Sequence, residues 1–103
     1  MADAGDNRLT LAATLSQRAE LRYTPVGIPA LECTLVHRSR QPEAGGERGV
    51  ECELHAVAFG DVAQRLNAVA VGSALRCEGF LARRYRTGNA IALHIIRFTN
   101  EEH

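Results

Sequence analysis

At 103 residues the chain has room for one hydrophobic core and not for two, and 46% apolar with 23% charged residues excludes a disordered chain. The formal charge of zero is unevenly laid out: all twelve basic residues are arginine, they lie between Arg8 and Arg97, and Asp3, Asp6, Glu101 and Glu102 fall outside that span. From Arg8 to Asn100 twelve arginines face eight acids, a net of +4, so an anionic partner is not excluded.

The start, MADAGDNR, has neither a basic nor an apolar leader segment, and no apolar run approaches the ~18 residues of a membrane span; a cytoplasmic protein is expected. Residues 1–7 read as a flexible tail, 8–100 as one domain and 101–103 as a polar tail. Leu9, Leu11, Ala13, Leu15, Ala19, Leu21 and Tyr23 keep one phase over fifteen residues, with only Gln17 out of place. This predicts a long, bent first strand serving two halves of a small barrel, with Tyr23 in the core. Thr24-Pro25-Val26-Gly27-Ile28-Pro29 must then turn, since no helix runs through it.

A second strand from Ala30 to about Arg40 sets Leu31, Cys33, Leu35 and His37 against Glu32, Thr34, Val36 and Arg38. Gln41 to Gly49, with one Pro, three Gly and mixed charge, reads as a mobile loop. The third strand, Val50 to Phe59, places Val50, Cys52, Leu54, Ala56 and Ala58 on one face and Glu51, Glu53, His55, Val57 and Phe59 on the other. After Gly60 the period changes: Val62, Leu66 and Val69 predict a short helix to about Ala70, N-capped by Asp61 and closed by Gly72. Cys33, Cys52 and Cys77 lack CxxC spacing and all fall on apolar faces, so three buried free thiols are expected.

Gly72 to Phe98 reads as two strands joined by a basic hairpin tip, with Leu75, Cys77 and Leu81 inward before the turn and Ile91, Leu93 and Ile95 after it. Thr87-Gly88-Asn89 supplies a tight reversal, so Arg83, Arg84, Tyr85 and Arg86 are held at the end of a rigid hairpin. Guanidinium groups pair with phosphates and a ring stacks on a base, and the tip contains no acid to cancel its charge. The bland reading is a solvated turn. Arg38 and Arg40 share one strand face and, with Arg22 and Arg48, could extend a phosphate track; as isolated charges they would be an ordinary wet face. His37 and His55 have no second ligand at metal spacing, and Phe59, Phe80 and Phe98 are expected to pack, Phe80 with its face undetermined after Gly79. No Gly-rich phosphate loop, HExxH, nucleophile elbow or local Cys–His pair is present, so no catalytic residue, cofactor site or metal site is assigned.

Five strands with one helix between the third and fourth is the element order of the OB-fold, an all-β five-stranded Greek-key barrel, and Gly79 suits the bend where such a barrel closes. The residues also carry a resemblance. NRLTLAATL, the YTPVGIP turn, LVHRSRQPEAG and VGSALRCEGFLA together resemble the bacterial primosomal replication protein N (PriB) family, related to single-stranded DNA-binding proteins, over nearly the whole chain. The resemblance implies a homodimer that binds single-stranded DNA without chemistry and contacts the helicase PriA and the loader DnaT during replication restart. It matches the family's DNA-contacting positions to Arg22 after the first strand, Arg38, Arg48 and the tip arginines Arg83, Arg84 and Arg86. Gly46 and Glu51 depart from it, standing where family members carry aromatics. Without the stacking those rings would supply, roughly 1–3 kcal/mol per base, binding is expected either to be weaker or to rely on Tyr85. Two functions stay open: a DNA-binding module of the restart primosome, or a protein-protein adaptor with weak or no DNA binding.

Overall fold

One strand closes the barrel by serving two neighbours. In the computed structural model, which describes residues 5–101, β1 (Leu9–Arg18) pairs antiparallel with β5 (Ala74–Arg83) through Leu9 to Thr14. It pairs with β3 (Pro29–Glu43) through Thr14 to Arg18. Between them, β5 pairs with β6 (Ile91–Asn100), β6 runs parallel to β4 (Gly46–Phe59), and β4 pairs with β3, giving the closed five-stranded Greek-key barrel of the OB-fold. The helix α1 (Asp61–Asn67) lies between the third and fourth barrel strands and buries Ala63 and Leu66. Leu15, Leu31, Leu35, Leu66, Leu75 and Leu93 fill the centre at essentially zero exposure, each worth about 1.5–3 kcal/mol of burial. Met1 to Ala4 and Glu102–His103, read as tails, lie outside the described residues. Asn7, assigned to the N-terminal tail, is instead pinned: its amide donates to the Leu81 carbonyl (2.7 Å) and accepts from the Leu81 N–H (2.9 Å), continuing the β1–β5 ladder with a side chain.

The fifteen-residue phase of the first strand is broken, and Gln17 marks the break. The register passes from Leu15↔Leu35 to Gln17↔Thr34, which leaves Ser16 as an extra residue whose hydroxyl donates to the Thr34 carbonyl (3.2 Å). A bulge reverses the faces beyond it. Arg18 therefore turns inward and donates to the Val69 carbonyl, the strand ends, and a separate short β2 (Arg22–Tyr23) follows. Tyr23, placed in the core by parity, is 61% exposed, in this separate strand beyond the end of β1.

The segment read as a mobile loop is ordered as an arm. β3 and β4 remain paired out to Glu43↔Gly46, joined by Ala44-Gly45 with φ of 54° and 80°, a two-residue reversal of the primed type that matches strand twist. Opposite charges along it, Arg38–Glu51 (2.6 Å), Arg40–Glu47 (3.3 Å) and Arg48–Glu43 (3.2 Å), substitute for the missing apolar alternation. Cys52 lies on this arm beyond the core and is exposed, whereas Cys33 and Cys77 are buried as expected.

The helix begins one residue earlier than expected, at the residue assigned as its cap. Gly60, with φ of 71°, is the N-cap and makes no side-chain cap bond, Asp61 is the first helical residue, and the helix stops at Asn67, well before Gly72. The tip is also wider than a tight reversal: residues 84–90 form an open loop, tied across by Arg84 N–H to the Ala90 carbonyl (2.8 Å), with Gly88 at φ 91°. Leu81 (37%) and Ile91 (53%), assigned inward, are exposed because the two strands run past the core there. A bulge in β6 opposite Glu78–Gly79 leaves Ile96 outward and returns Phe98 to the interior.

Candidate nucleic-acid interface

Strand parity builds one continuous outer surface. The pairings Glu32↔Val57, Thr34↔His55, Val57↔His94 and Phe80↔His94 put these side chains on the same side of four adjacent strands. At its centre the ring of His94 stacks on Phe80 at 4.9 Å and 15°, with Phe59 on its other flank at 6.0 Å and 29°. Phe59 and Phe80 are 42% and 38% exposed, so the row presents aromatic surface to solvent. Val57 and Ala92 point outward yet are buried, because side chains from the 84–90 loop and β3 roof the surface into a cleft of about 330 Å³. Arg22, Arg83, Arg84 and Tyr85 form its rim, and Phe59 and His94 line its wall.

Glu32 is the electrostatic hub of this cleft. Its carboxylate accepts from His55 Nε2 (2.8 Å) and Arg22 (3.4 Å), and Arg84 stands 3.9 Å away. The His55 hydrogen bond, with Arg22, holds the Glu32 carboxyl below the usual carboxylate range despite partial burial. Arg84 also lies over the Tyr85 ring, 4.9 Å from its centroid, and Arg83 donates to the Arg86 carbonyl (3.0 Å). No acid pairs with Arg83 or Arg86 among the described residues.

The eight residues singled out by sequence fall into two groups. Arg22, Arg83, Arg84 and Tyr85 converge on the cleft, with Arg86 beside them on the same loop. Arg38, Arg40 and Arg48 sit on the arm, each in an exposed ion pair with a glutamate, so the arm is not a positive track in the free protein. Such pairs are worth about 0–1 kcal/mol and exchange readily for another anion. Glu51, which departs from the family's aromatic pattern, is the partner of Arg38, and Gly46 opens β4 behind the turn.

Sequence reasoning missed Phe59, Phe80 and His94 as site residues, having assigned both phenylalanines to packing. The signal was present: Phe59 shares parity with His55 and Val57 on the face opposite Ala56 and Ala58. What parity cannot give is that three rings from β4, β5 and β6 stack side by side. The other strand histidine, His37, is structural. Its Nδ1 meets the Ala12 carbonyl (2.6 Å) and its Nε2 meets Ser39 Oγ (2.7 Å). A carbonyl only accepts, so Nδ1 carries the proton and His37 stitches β3 to β1 where their ladder has ended.

The cleft lies on an OB-fold face, and the chain as a whole is similar to known proteins. Residues 7–97 fit the model of a family described as another single-strand binding protein family. The replication restart protein PriB of Bordetella pertussis is 40% identical over 89 residues, covering 86% of this chain and 83% of that one; PriB of Nitrosomonas europaea is 35% identical over 86% and 82%. A solved structure of Ralstonia solanacearum PriB superposes with a TM-score of 0.88 at 38% identity, over 95% of this chain and all of the other. The single-stranded DNA binding protein of Thermus aquaticus shares the fold at TM-score 0.76 and 25% identity, over 95% of this chain and 51% of that one. With two thirds or more of both chains aligned to the PriB relatives at such identity, the chain belongs to the PriB family of replication restart proteins.

Proposed function

We propose that this chain is a non-enzymatic single-stranded DNA-binding accessory protein of replication restart, acting in the cytoplasm. The observation that carries the reading is the Phe80–His94–Phe59 row, whose His94 and Phe59 line one cleft with Arg22, Arg83 and Arg84. Bases of a single strand are free to stack on such rings while guanidinium groups hold phosphates, and a duplex, with its bases already stacked, cannot use them. The row supplies exposed aromatic surface that Gly46 and Glu51 do not, and Tyr85 adds to it at the rim. Residues 8–100 make up the binding domain; Arg38, Arg40 and Arg48 on the arm take up phosphates by exchanging their glutamate partners, and Arg86 extends the loop contact. The working unit is a homodimer. β1 supports this, because its Leu9–Ala13 edge away from β5 has no strand partner among the described residues and a twin strand would cover it. PriA and DnaT are the protein partners that family membership suggests.

The test is fluorescence anisotropy of a labelled oligothymidine against a matched duplex at low and moderate salt. Wild type is compared with an Arg83/Arg84/Arg86→Ala variant and a Phe59/Phe80→Ala variant. Saturable single-strand preference is expected, with log K falling by about 0.7 per phosphate neutralised for each tenfold rise in salt. The arginine variant should flatten that slope, and the phenylalanine variant should weaken binding about tenfold or more at unchanged slope. No binding by wild type even at low salt would hand the assignment to the adaptor reading, which the charge-neutral pairs of the arm favour.

A further inference from the structure

Three cationic or hydrogen-bond-donating side chains from three different elements converge on one carboxylate. Arg22 of β2, His55 of β4 and Arg84 of the 84–90 loop all address Glu32, while Arg18 of β1 lines the adjoining cavity. Two concavities meet at this point. One is lined by Gln17, Arg18, Thr34 and Cys33, the other by Phe59, His94, Tyr85 and Arg83, and Glu32, His55 and Arg84 belong to the walls of both. The Glu32 cluster therefore stands as a bar across what would otherwise be one channel running from the aromatic row toward the start of β3. Its side chain keeps 37% exposure, so this is not a buried ion pair fixed by packing.

Resting on the strand-binding function proposed above, we infer that Glu32 is a built-in competitor for the nucleic-acid backbone, its carboxylate occupying the seat that a phosphate takes when a strand binds. A carboxylate and a phosphodiester present the same acceptor oxygens to a guanidinium fork. When a phosphate enters, Arg84 and Arg22 exchange partners, the Glu32 side chain swings out, and the two concavities join. The seat thereby sets a threshold: a strand engages it only if the neighbouring ring contacts and the acid-free Arg83 and Arg86 hold the strand long enough to displace Glu32. The device would also discriminate against mononucleotides and free phosphate, which bring no second contact.

The experiment is oligothymidine binding by Glu32→Gln, which removes the charge at nearly constant shape, beside Glu32→Asp, which keeps it. The expected result is about three- to tenfold tighter binding by Glu32→Gln, with a steeper salt dependence because the freed guanidiniums then neutralise phosphate fully; Glu32→Asp should gain less. Titration with thymidine monophosphate, unable to displace the carboxylate in wild type, should become detectable in Glu32→Gln. If wild type binds the oligonucleotide but Glu32→Gln binds equally or more weakly at unchanged salt slope, Glu32 merely positions its arginines and the competitor inference falls while strand binding stands. If neither wild type nor Glu32→Gln binds at low salt, strand binding itself fails and the inference fails with it. Circular dichroism melts of both variants separate a loss of fold from a loss of affinity.

Discussion

Gly79 passes so close beneath His94 that a Cβ built on it would lie 1.8 Å from the His94 carbonyl oxygen and 2.8 Å from its carbonyl carbon. The obstacle is backbone, which cannot swing aside as a side chain can. The contact sits at the β6 bulge, where Gly79 pairs with Ile95, and directly beside the Phe80–His94 stack. Barrel closure and the aromatic row thus depend on the same missing methyl group.

Gly79→Ala is accordingly expected to cost at least about 2 kcal/mol of stability, since the two strands must separate to accept it. Urea denaturation would measure this as a lowered midpoint, and a neutral effect would show that the crossing relaxes freely. Oligothymidine affinity should fall further than for an equally destabilising change remote from the cleft, because the spacing of Phe80 and His94 changes too.

Thiol reactivity should split two to one. Burial pushes Cys33 up to about 12 and Cys77 up to about 11, against an ordinary value of 9.0, while Cys52 lies on the exposed arm. Ellman's reagent at pH 8 should modify one thiol rapidly in the folded protein and all three after denaturation. The same shifts fix the alkaline behaviour. As pH climbs past about 9 the unfolded chain releases these two protons and the folded chain retains them, so stability declines with pH until the folded values are reached. Chemical-denaturation midpoints at pH 7.5, 9 and 10.5 should fall in that order; replacing Cys33 and Cys77 by Ala should flatten the decline.

Ala44, in the turn of the arm, is the one non-glycine residue held at positive φ, 54°, among the described residues. Asparagine tolerates that region better and would create the Asn-Gly pair favoured in this reversal. Ala44→Asn should slow amide hydrogen exchange along Gln41 to Gly49 several-fold, a local gain of up to about 1 kcal/mol. The global melting temperature should move little, because the arm extends beyond the core and opens without it. Equal slowing throughout the barrel would contradict this independence of the arm.

The barrel was legible in the sequence because period-2 alternation reports burial directly, and Leu15, Leu31, Leu35, Leu75 and Leu93 each sit where their parity placed them. Parity failed wherever a bulge changed the count. At Ser16 and at Ile96 one extra residue interrupted the count, and Tyr23, in a separate strand after β1 ends, lies outside the core. The arm was misread for a different reason. Its strands bury nothing, so their pairing rests on turn geometry and cross-strand charge, and Glu43, Glu47 and Glu51 meet their arginines only once the register is known. The basic side of the cleft could be read from Arg83, Arg84 and Arg86, which are neighbours in sequence. Its aromatic side could not, since Phe59, Phe80 and His94 come from three strands brought together by closure alone.

The double pairing of β1 also orders events in time. Leu9 to Thr14 find their partners at Ala74 to Gly79, so a chain emerging from its N-terminus makes its first strand and must then wait for the greater part of the molecule before that strand is enclosed. Through that interval the arm and its hairpin can already pair, but Leu11, Ala13 and Leu15 remain uncovered on one flank. Ribosomal synthesis therefore encloses this flank of β1 only when β5 has been made, and β6 closes the barrel after it.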